Sequence, residues 1–394
     1  MKYIWLKIFL LGVALLLLSY FSFKVFPNFN GLWTIILFSV FLFLIYVGFS
    51  SKRTFLKVFI YNIAAVFFAL FLFEGYLWIK DTFNSKNKVE ESGTFRSNWK
   101  PDTNLGYSIK DDGQYTHKKI VNDNVIYDLT CDIRNGLRFT PNSNESSSSC
   151  AMFFGCSFTF GAGLGDSSTL PFFFNEFSDR KYKILNYGME GYGPHQMLSL
   201  IESRVSSDIE NCSGDKIAIY IFLPVHIGRA AGYSIWDQDG PNYEVINGSL
   251  QRTGRFRKLP ERISDRLNRS YICRRLFYDK KANRYDVLRT LEIIKKSREL
   301  FEQMGIKFFV FVWEDSFNIQ ISFQDKNDYK FLINEMKKNN LKILYLKDAI
   351  KDYYENEEAY TILHDGHPNI LANKEIARYI SSYLNNFTET KLEF

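Results

Sequence analysis

Cysteine is scarce in this chain: five residues, at 131, 150, 156, 212 and 273, an odd number scattered along 394. Nothing in their spacing resembles a zinc or iron–sulfur ligand set, so neither a metal nor a cofactor is expected. Outside a membrane, where disulfides are permitted, Cys131 with Cys150 or Cys212 with Cys273 are possible pairs, and buried free thiols are the competing reading. A strong charge of one sign is also missing. The net charge of +6 is too small for this length to imply a nucleic-acid partner. The first apolar run has no small-residue cleavage site after it, and further apolar runs come later, so a retained helix is expected rather than a cleaved signal peptide.

The chain is instead rich in aromatic and apolar residues. Phenylalanine alone accounts for 38 residues, and much of the aromatic content falls in the first 80. Apolar runs at 4–23, 32–49 and 58–79 each approach the ~20 residues a helix needs to cross the hydrocarbon core. Residues 1–80 are therefore expected to form a three-helix membrane anchor. Lys2 and Lys7 precede the first run, Lys52, Arg53 and Lys57 surround the second connection, and only Lys24 marks the first. Positive flanks stay inside, which predicts a multi-pass protein of the cytoplasmic membrane with everything after Lys80 on the periplasmic or extracellular side. Glu74, near the outer end of the third run, reads as an interfacial carboxylate reaching the headgroups rather than a proton relay.

Residues 81–148 read as a polar linker, to about 101, and then a hairpin of 113–121 and 125–133 around Asn122-Asp123-Asn124. From 149 to 394 strands and helices alternate. Strands are predicted at 151–154, 183–187, 217–223, 306–313 and 341–346, with helices at 169–177, 196–209, 285–303 and 328–338 between them. That alternation predicts an α/β fold, a three-layer α/β/α sandwich. Its one large irregularity is an insertion at 225–284. Within the alternation, Phe153-Phe154-Gly155-Cys156-Ser157-Phe158-Thr159-Phe160-Gly161 places a serine between a buried strand and a glycine-rich turn, where open α/β sheets present their chemistry.

The stretch Gly155 to Gly161 resembles block I of the SGNH (GDSL) hydrolase superfamily, with Cys156 where most members carry Asp. Ile184-Leu185-Asn186-Tyr187-Gly188-Met189-Glu190-Gly191-Tyr192-Gly193 resembles block II, and His364-Asp365-Gly366-His367-Pro368-Asn369, before an apparent helix at 371–384, resembles block V. The lead-in looks like the segment preceding block I in membrane-anchored bacterial members. The resemblance implies a flavodoxin-like parallel sheet and ester cleavage by an activated serine. Ser157 would be the nucleophile, His367 the base and Asp365 the group orienting the imidazole. The oxyanion would be held by the backbone N–H groups of Ser157 and Gly191, or of Gly188 in a shifted register.

The chain departs from the family in three places. Block V usually carries Asp three residues before His; that slot holds His364, a structural histidine or competing base, and Asp365 is two before. The block after the third strand has no Asn, and His226 sits near its position, as a ring donor to the oxyanion or as a histidine satisfying loop backbone groups. Cys156 is read as a small packed thiol rather than a rival nucleophile.

In the insertion, Trp236, Asn242 and Tyr243 are candidate substrate-binding residues, and Asn247-Gly248 predicts a hairpin turn between 243–246 and 249–252. Twelve Lys or Arg and three acidic residues between Arg252 and Arg284 suit a solvated face, an anionic glycan or a phospholipid surface. The expected activity is a membrane-anchored, extracytoplasmic serine esterase that removes O-acyl groups, acetyl above all, from a polysaccharide or glycoconjugate. Its partners are an acylated glycan or small ester, not nucleic acid. Two alternatives stand: a polysaccharide O-acetyltransferase with the same residues, served by a partner acyl-donor membrane protein, and a non-catalytic glycan-binding or assembly protein.

Overall fold

The structure, a computed structural model, describes residues 31–84, 88–109, 111–314, 322–325 and 327–389. They fall into two compact units: the N-terminal helices with Arg257–Asp279, and Asn87–Phe256 with Lys280–Phe394.

In the first unit, helices Leu32–Ser50 and Thr54–Asn84 are long and apolar enough to cross a membrane. The predicted span at 4–23 lies outside the described residues. The two helices run antiparallel, with Phe38 against Phe71 and Phe41 against Phe68 at 4.9 Å between ring centres in each pair. Most remaining side chains are apolar and are half-buried or exposed, as on a helix with lipid around it. Glu74 does not reach out to headgroups as expected. It is fully buried, and its carboxylate accepts from Ser270 Oγ at 3.0 Å, Tyr271 N at 2.7 Å and Ile272 N at 2.8 Å. The first N–H groups of a helix have no partner inside that helix, and Glu74 supplies one to the helix Tyr271–Phe277.

Among the described residues, the second unit holds thirteen strands: β1 (Val89–Ser92), β2 (Trp99–Asp102), β3 (Gly106–Ile109), β4 (Gly113–Val121), β5 (Asn124–Arg134), β6 (Leu137–Arg138), β7 (Cys150–Phe154), β8 (Lys183–Asn186), β9 (Lys216–Phe222), β10 (Pro241–Ile246), β11 (Ser249–Arg255), β12 (Lys307–Val312) and β13 (Lys342–Tyr345). Nine of them form one sheet in the order β1-β4-β5-β6-β8-β7-β9-β12-β13. The five strands predicted after residue 149 supply its parallel part, β8-β7-β9-β12-β13, in the flavodoxin-like order. The sheet as a whole is mixed, which corrects the parallel expectation. The β4–β5 hairpin, with β1 and β6, joins antiparallel beyond β8 through Arg138 opposite Asn186. A bare β8 would be an exposed edge offering unpaired backbone groups, and the lead-in covers it. Part of the predicted linker is likewise structured, since β1 pairs along β4 from Val89 to Ser92.

All five residues of β7 are buried, as a central parallel strand requires. On one face Phe153, Ile219 and Phe311 pack with Leu170, Phe174, Ile376 and Ile380 of helices Leu170–Phe177 and Ile370–Glu389. On the other, Met152, Phe154 and Tyr220 pack with Met197, Leu291 and Leu332 of helices Pro194–Leu200, Arg284–Gln303 and Asn327–Lys338. Neither of the two possible cysteine pairs forms: the disulfide is Cys150–Cys212. Cys150 opens β7 opposite Lys216, the first residue of β9, so the bond ties together the starts of two adjacent strands. Cys131 and Cys156 are buried thiols and Cys273 is half-buried.

Candidate active site

The chain leaves β7 at Gly155, whose φ of +148° suits glycine alone, and a Cβ there would meet Thr159 Oγ1 at 2.2 Å. Ser157 then begins a one-turn helix, Ser157–Phe160. Arg138, almost fully buried, grips the end of that helix and the glycine turn beyond it. Its Nη1 donates to the carbonyls of Phe160 at 2.9 Å and Gly161 at 2.6 Å, its Nη2 to Leu164 at 2.5 Å, and its Nε to Asp166 at 3.0 Å. One guanidinium thus serves the carbonyls of Phe160, Gly161 and Leu164 around the glycine turn, and of these Gly161 O also accepts from Leu164 N at 3.2 Å.

At the other end of the chain, residues 362–367 form a tight turn closed by Ile362 N donating to the His367 carbonyl at 2.8 Å. His364 and Gly366 both take positive φ, +58° and +82°, which folds Asp365 back onto His367. This is how a two-residue spacing reaches: Asp365 Oδ1 is hydrogen-bonded to His367 Nδ1 and also accepts from His367 N at 3.3 Å. His367 Nε2 lies 2.8 Å from Ser157 Oγ. Phe158 meets the imidazole edge-on at 5.4 Å and Trp313 at 5.0 Å. His364, in the usual Asp slot, is exposed.

Asp365 has a second partner. Lys119 of β4 places Nζ 2.5 Å from Asp365 Oδ2, and neither side chain has much contact with solvent. Burial works against the Asp365 charge, but hydrogen bonding and attraction from His367 and then Lys119 outweigh it and hold the carboxyl well below the usual carboxylate range.

Ser157 and His367 open into a cleft of about 330 Å³. Gly191, φ +83°, lines it, and a Cβ there would meet Tyr107 Oη at 2.4 Å and Trp236 Nε1 at 2.6 Å. Among the described residues, neither the N–H of Ser157 nor that of Gly191 donates to a protein acceptor. The alternative donor, Gly188, is occupied: its N–H donates to Asn186 Oδ1 at 3.0 Å, and a Cβ would strike Phe160 N at 2.5 Å.

Other expectations change. His226 is fully buried and does not line the cleft. Its Nδ1 takes the Leu223 N–H at 3.3 Å and sits 2.8 Å from Tyr220 Oη, and burial pushes its pKa well down. In this structure its ring serves the loop backbone, and its Nε2 is buried with no partner among the described residues. Arg229, one turn on in the helix His226–Ala230, lines the cleft instead. Its Nη1 donates to Tyr192 O at 2.7 Å, and it has no ion pair among the described residues. Trp236 also lines the cleft. Asn242 and Tyr243 do not: both are buried, with Tyr243 Oη donating to Glu202 at 2.6 Å and Asn242 Nδ2 to Glu244 at 2.9 Å. The chain parts ways at Asp237, whose buried carboxylate lies 2.7 Å from both His195 Nε2 and Gln196 Nε2. That anchor leaves Trp236 outside and sends β10 inward.

Five residues near the site were not anticipated: Lys119, Arg96, Trp99, Glu190 and Arg229. Arg96 Nε donates to Glu190 Oε2 at 3.1 Å. Trp99 Nε1 and Glu190 Oε1 have no protein partner among the described residues. For Lys119 a signal existed. Alternation along β4 buries Tyr115, His117 and Val121, and Lys119 is in phase with them, a cation on an inward face.

No family model and no curated protein matches the chain. Among solved structures it is similar to a protein from Desulfitobacterium hafniense DCB-2 assigned to the G-D-S-L family of lipolytic proteins. The identity is 12%, the match covers 60% of this chain and 99% of that one, and the TM-score is 0.37. So distant a likeness carries no function, and the chemistry rests on this chain's own residues.

Proposed function

We propose that this protein is a membrane-anchored serine esterase of the SGNH type, with its cleft on the outer side of the membrane, that removes short O-acyl groups from a polysaccharide or glycoconjugate. The observation that carries the reading is the chain of contacts from Ser157 Oγ to His367 Nε2 at 2.8 Å and from His367 Nδ1 to Asp365. In it, Ser157 attacks the ester carbonyl while His367 takes its proton, and Asp365 stabilises the imidazolium that forms. The N–H groups of Ser157 and Gly191 receive the oxyanion, and Arg229, without an ion pair among the described residues, adds positive potential where the family's Asn is missing. His367 returns the proton to the departing alcohol. Water then repeats the attack on the acyl-serine.

The cleft's size, about 330 Å³, is at the small end for ligand sites and supports a short acyl group. Trp99 and Trp236 supply flat apolar faces of the kind that sugar rings stack on. Trp99 Nε1 and Glu190 Oε1, unpartnered among the described residues, suit a substrate rich in hydroxyls. The lysine and arginine distribution around the spans supports the outward orientation.

Incubation of the full chain in membranes with p-nitrophenyl acetate, longer esters and a serine-directed phosphonate tests the proposal. Acetyl release that is lost in Ser157→Ala, with the phosphonate on Ser157, is the expected result. Acyl transfer to added sugar rather than water would make the protein a transferase. Neither turnover nor labelling would reduce it to a binding protein.

A further inference from the structure

Residues 257–279 come from the middle of the sequence, yet they form one compact unit with the apolar helices. They make two short helices, Glu261–Leu267 and Tyr271–Phe277. The Tyr271 helix is fixed by the three donors to Glu74, and Tyr271 Oη adds a contact to Asp81 at 3.3 Å. The Glu261 helix is fixed by Trp33 Nε1 donating to Arg266 O at 2.7 Å. Trp33 opens one apolar helix and Glu74 lies toward the close of its antiparallel partner, so both anchors are at the same end of the pair.

The depth of these anchors can be read along the helix. Glu74 lies five residues inside Ile79, the end of the apolar run, which at 1.5 Å per residue is about 8 Å below its outer limit. A carboxylate at that level is tolerated when protein groups satisfy it. The exposed backbone N–H groups of a short helix at that level need partners for the same reason. Glu74 and the start of the Tyr271–Phe277 helix meet both needs at once, and Ser270 Oγ caps Cys273 N at 3.2 Å.

The outward side of the segment is not that of a water-facing helix pair. Leu259, Ile263, Leu276 and Phe277 are each about half exposed or more, at 48%, 50%, 59% and 56%. Lys258, Arg266 and Arg275 are exposed among them. Over 257–279 there are seven Lys or Arg against three acidic residues. Large apolar side chains interleaved with cations mark an element that rests in a bilayer interface.

We propose that residues 257–279 lie in the outer interface of the membrane, their apolar side chains in the acyl boundary and their cations on anionic phospholipid headgroups. An anionic glycan would use the cations but would give no reason to expose Leu276 and Phe277. The inference stands on the membrane unit alone and does not depend on the esterase reading.

The test uses the full chain in nanodiscs of phosphatidylcholine with a minor share of phosphatidylglycerol. A photoreactive benzoyl-phenylalanine is placed singly at 263, 276 or 277, with Val125, 55% exposed on β5, as the control position. Mass spectrometry should find several-fold more lipid adduct at the three positions than at 125, with phosphatidylglycerol captured beyond its share. In Lys258→Gln with Arg275→Gln that enrichment should fall while total lipid adduct persists. Adduct levels at all three positions no higher than at 125 would overturn the interfacial placement. Capture of phosphatidylglycerol only in proportion to its share in the wild type would overturn the anionic headgroup assignment.

Discussion

Lys119 and Asp365 are 246 residues apart in sequence and 2.5 Å apart in space, and their contact occupies the carboxylate oxygen that His367 does not use. A lead-in strand therefore holds the residue that holds His367. The other charged or titratable groups around this pair are Glu91, Arg96, His117, Tyr127 and Glu190. Lys119 is the one whose ammonium touches the carboxylate.

Replacing Lys119 with Met should act on kinetics and on stability with different pH signatures. A cation beside the Asp365–His367 pair disfavours adding a proton to that pair. Its loss should move the acid limb of kcat/KM to higher pH, and Lys119→Arg should restore most of the shift. For stability, the Asp365 pKa is depressed on folding, so its contribution is present above the unfolded carboxylate value of about 3.9 and is lost as pH falls toward the folded one. The Tm difference between wild type and Lys119→Met should thus be steady above about pH 5 and shrink below pH 4. A pH-independent difference would mean that Lys119 acts only by packing.

Ser157→Ala and His367→Ala should each remove nearly all ester hydrolysis, since nucleophile and base act as a unit. Because Asp365 engages both His367 N and Nδ1, Asp365→Asn should cost on the order of 10³- to 10⁴-fold in kcat, as loss of an orienting carboxylate does in serine hydrolases generally. His364→Ala should leave kcat/KM within about twofold, in line with an exposed surface position. If His364→Ala abolished turnover while His367→Ala spared it, the base would be misassigned.

Arg229→Gln should lower kcat on the order of 10²-fold, the usual scale for one oxyanion-stabilising group. KM for a small neutral ester should change little, and the Tm should stay within a few degrees. His226→Phe, by contrast, should lower the Tm and leave the kcat of the folded fraction near wild type, because its ring serves Leu223 N inside the core. Reversal of these two phenotypes would return the oxyanion role to His226.

Glu74→Ala should leave the Tyr271–Phe277 helix without its acceptor, and trypsin should cut at Arg269 or Arg274 in membranes well before it cuts the wild type. Glu74→Gln retains one acceptor oxygen and should fall between. Identical digestion of all three would show that the Glu74 contacts do not hold the segment.

The sequence made the centre of the fold legible and its margins less so. Continuous apolar runs marked β7, β9 and β12 because central parallel strands are buried on both faces. The Ser157 turn and the His367 turn were legible from short motifs whose spacing is local. The mixed sheet was not, because β6 is two residues long and pairing between strands distant in sequence leaves no periodicity. The disulfide was hidden for the same reason: strand order, not cysteine spacing, brings 150 and 212 together. Arg229 and His226 share one short helix, and only its orientation decides which of them faces the cleft. Glu74 was read as reaching the headgroups because its partner helix lies almost 200 residues downstream.

The grip of Arg138 on the Ser157 turn bears on how small this protein can be made. Trimming the chain to residue 149, where the parallel strands begin, would take away the guanidinium that serves Phe160, Gly161, Leu164 and Asp166. The same cut would remove Lys119 from Asp365, remove Arg96 and Trp99 from the cleft wall, and bare the edge of β8. A fragment that keeps these contacts starts no later than β1, so the lead-in belongs with the sheet and not with the apolar helices.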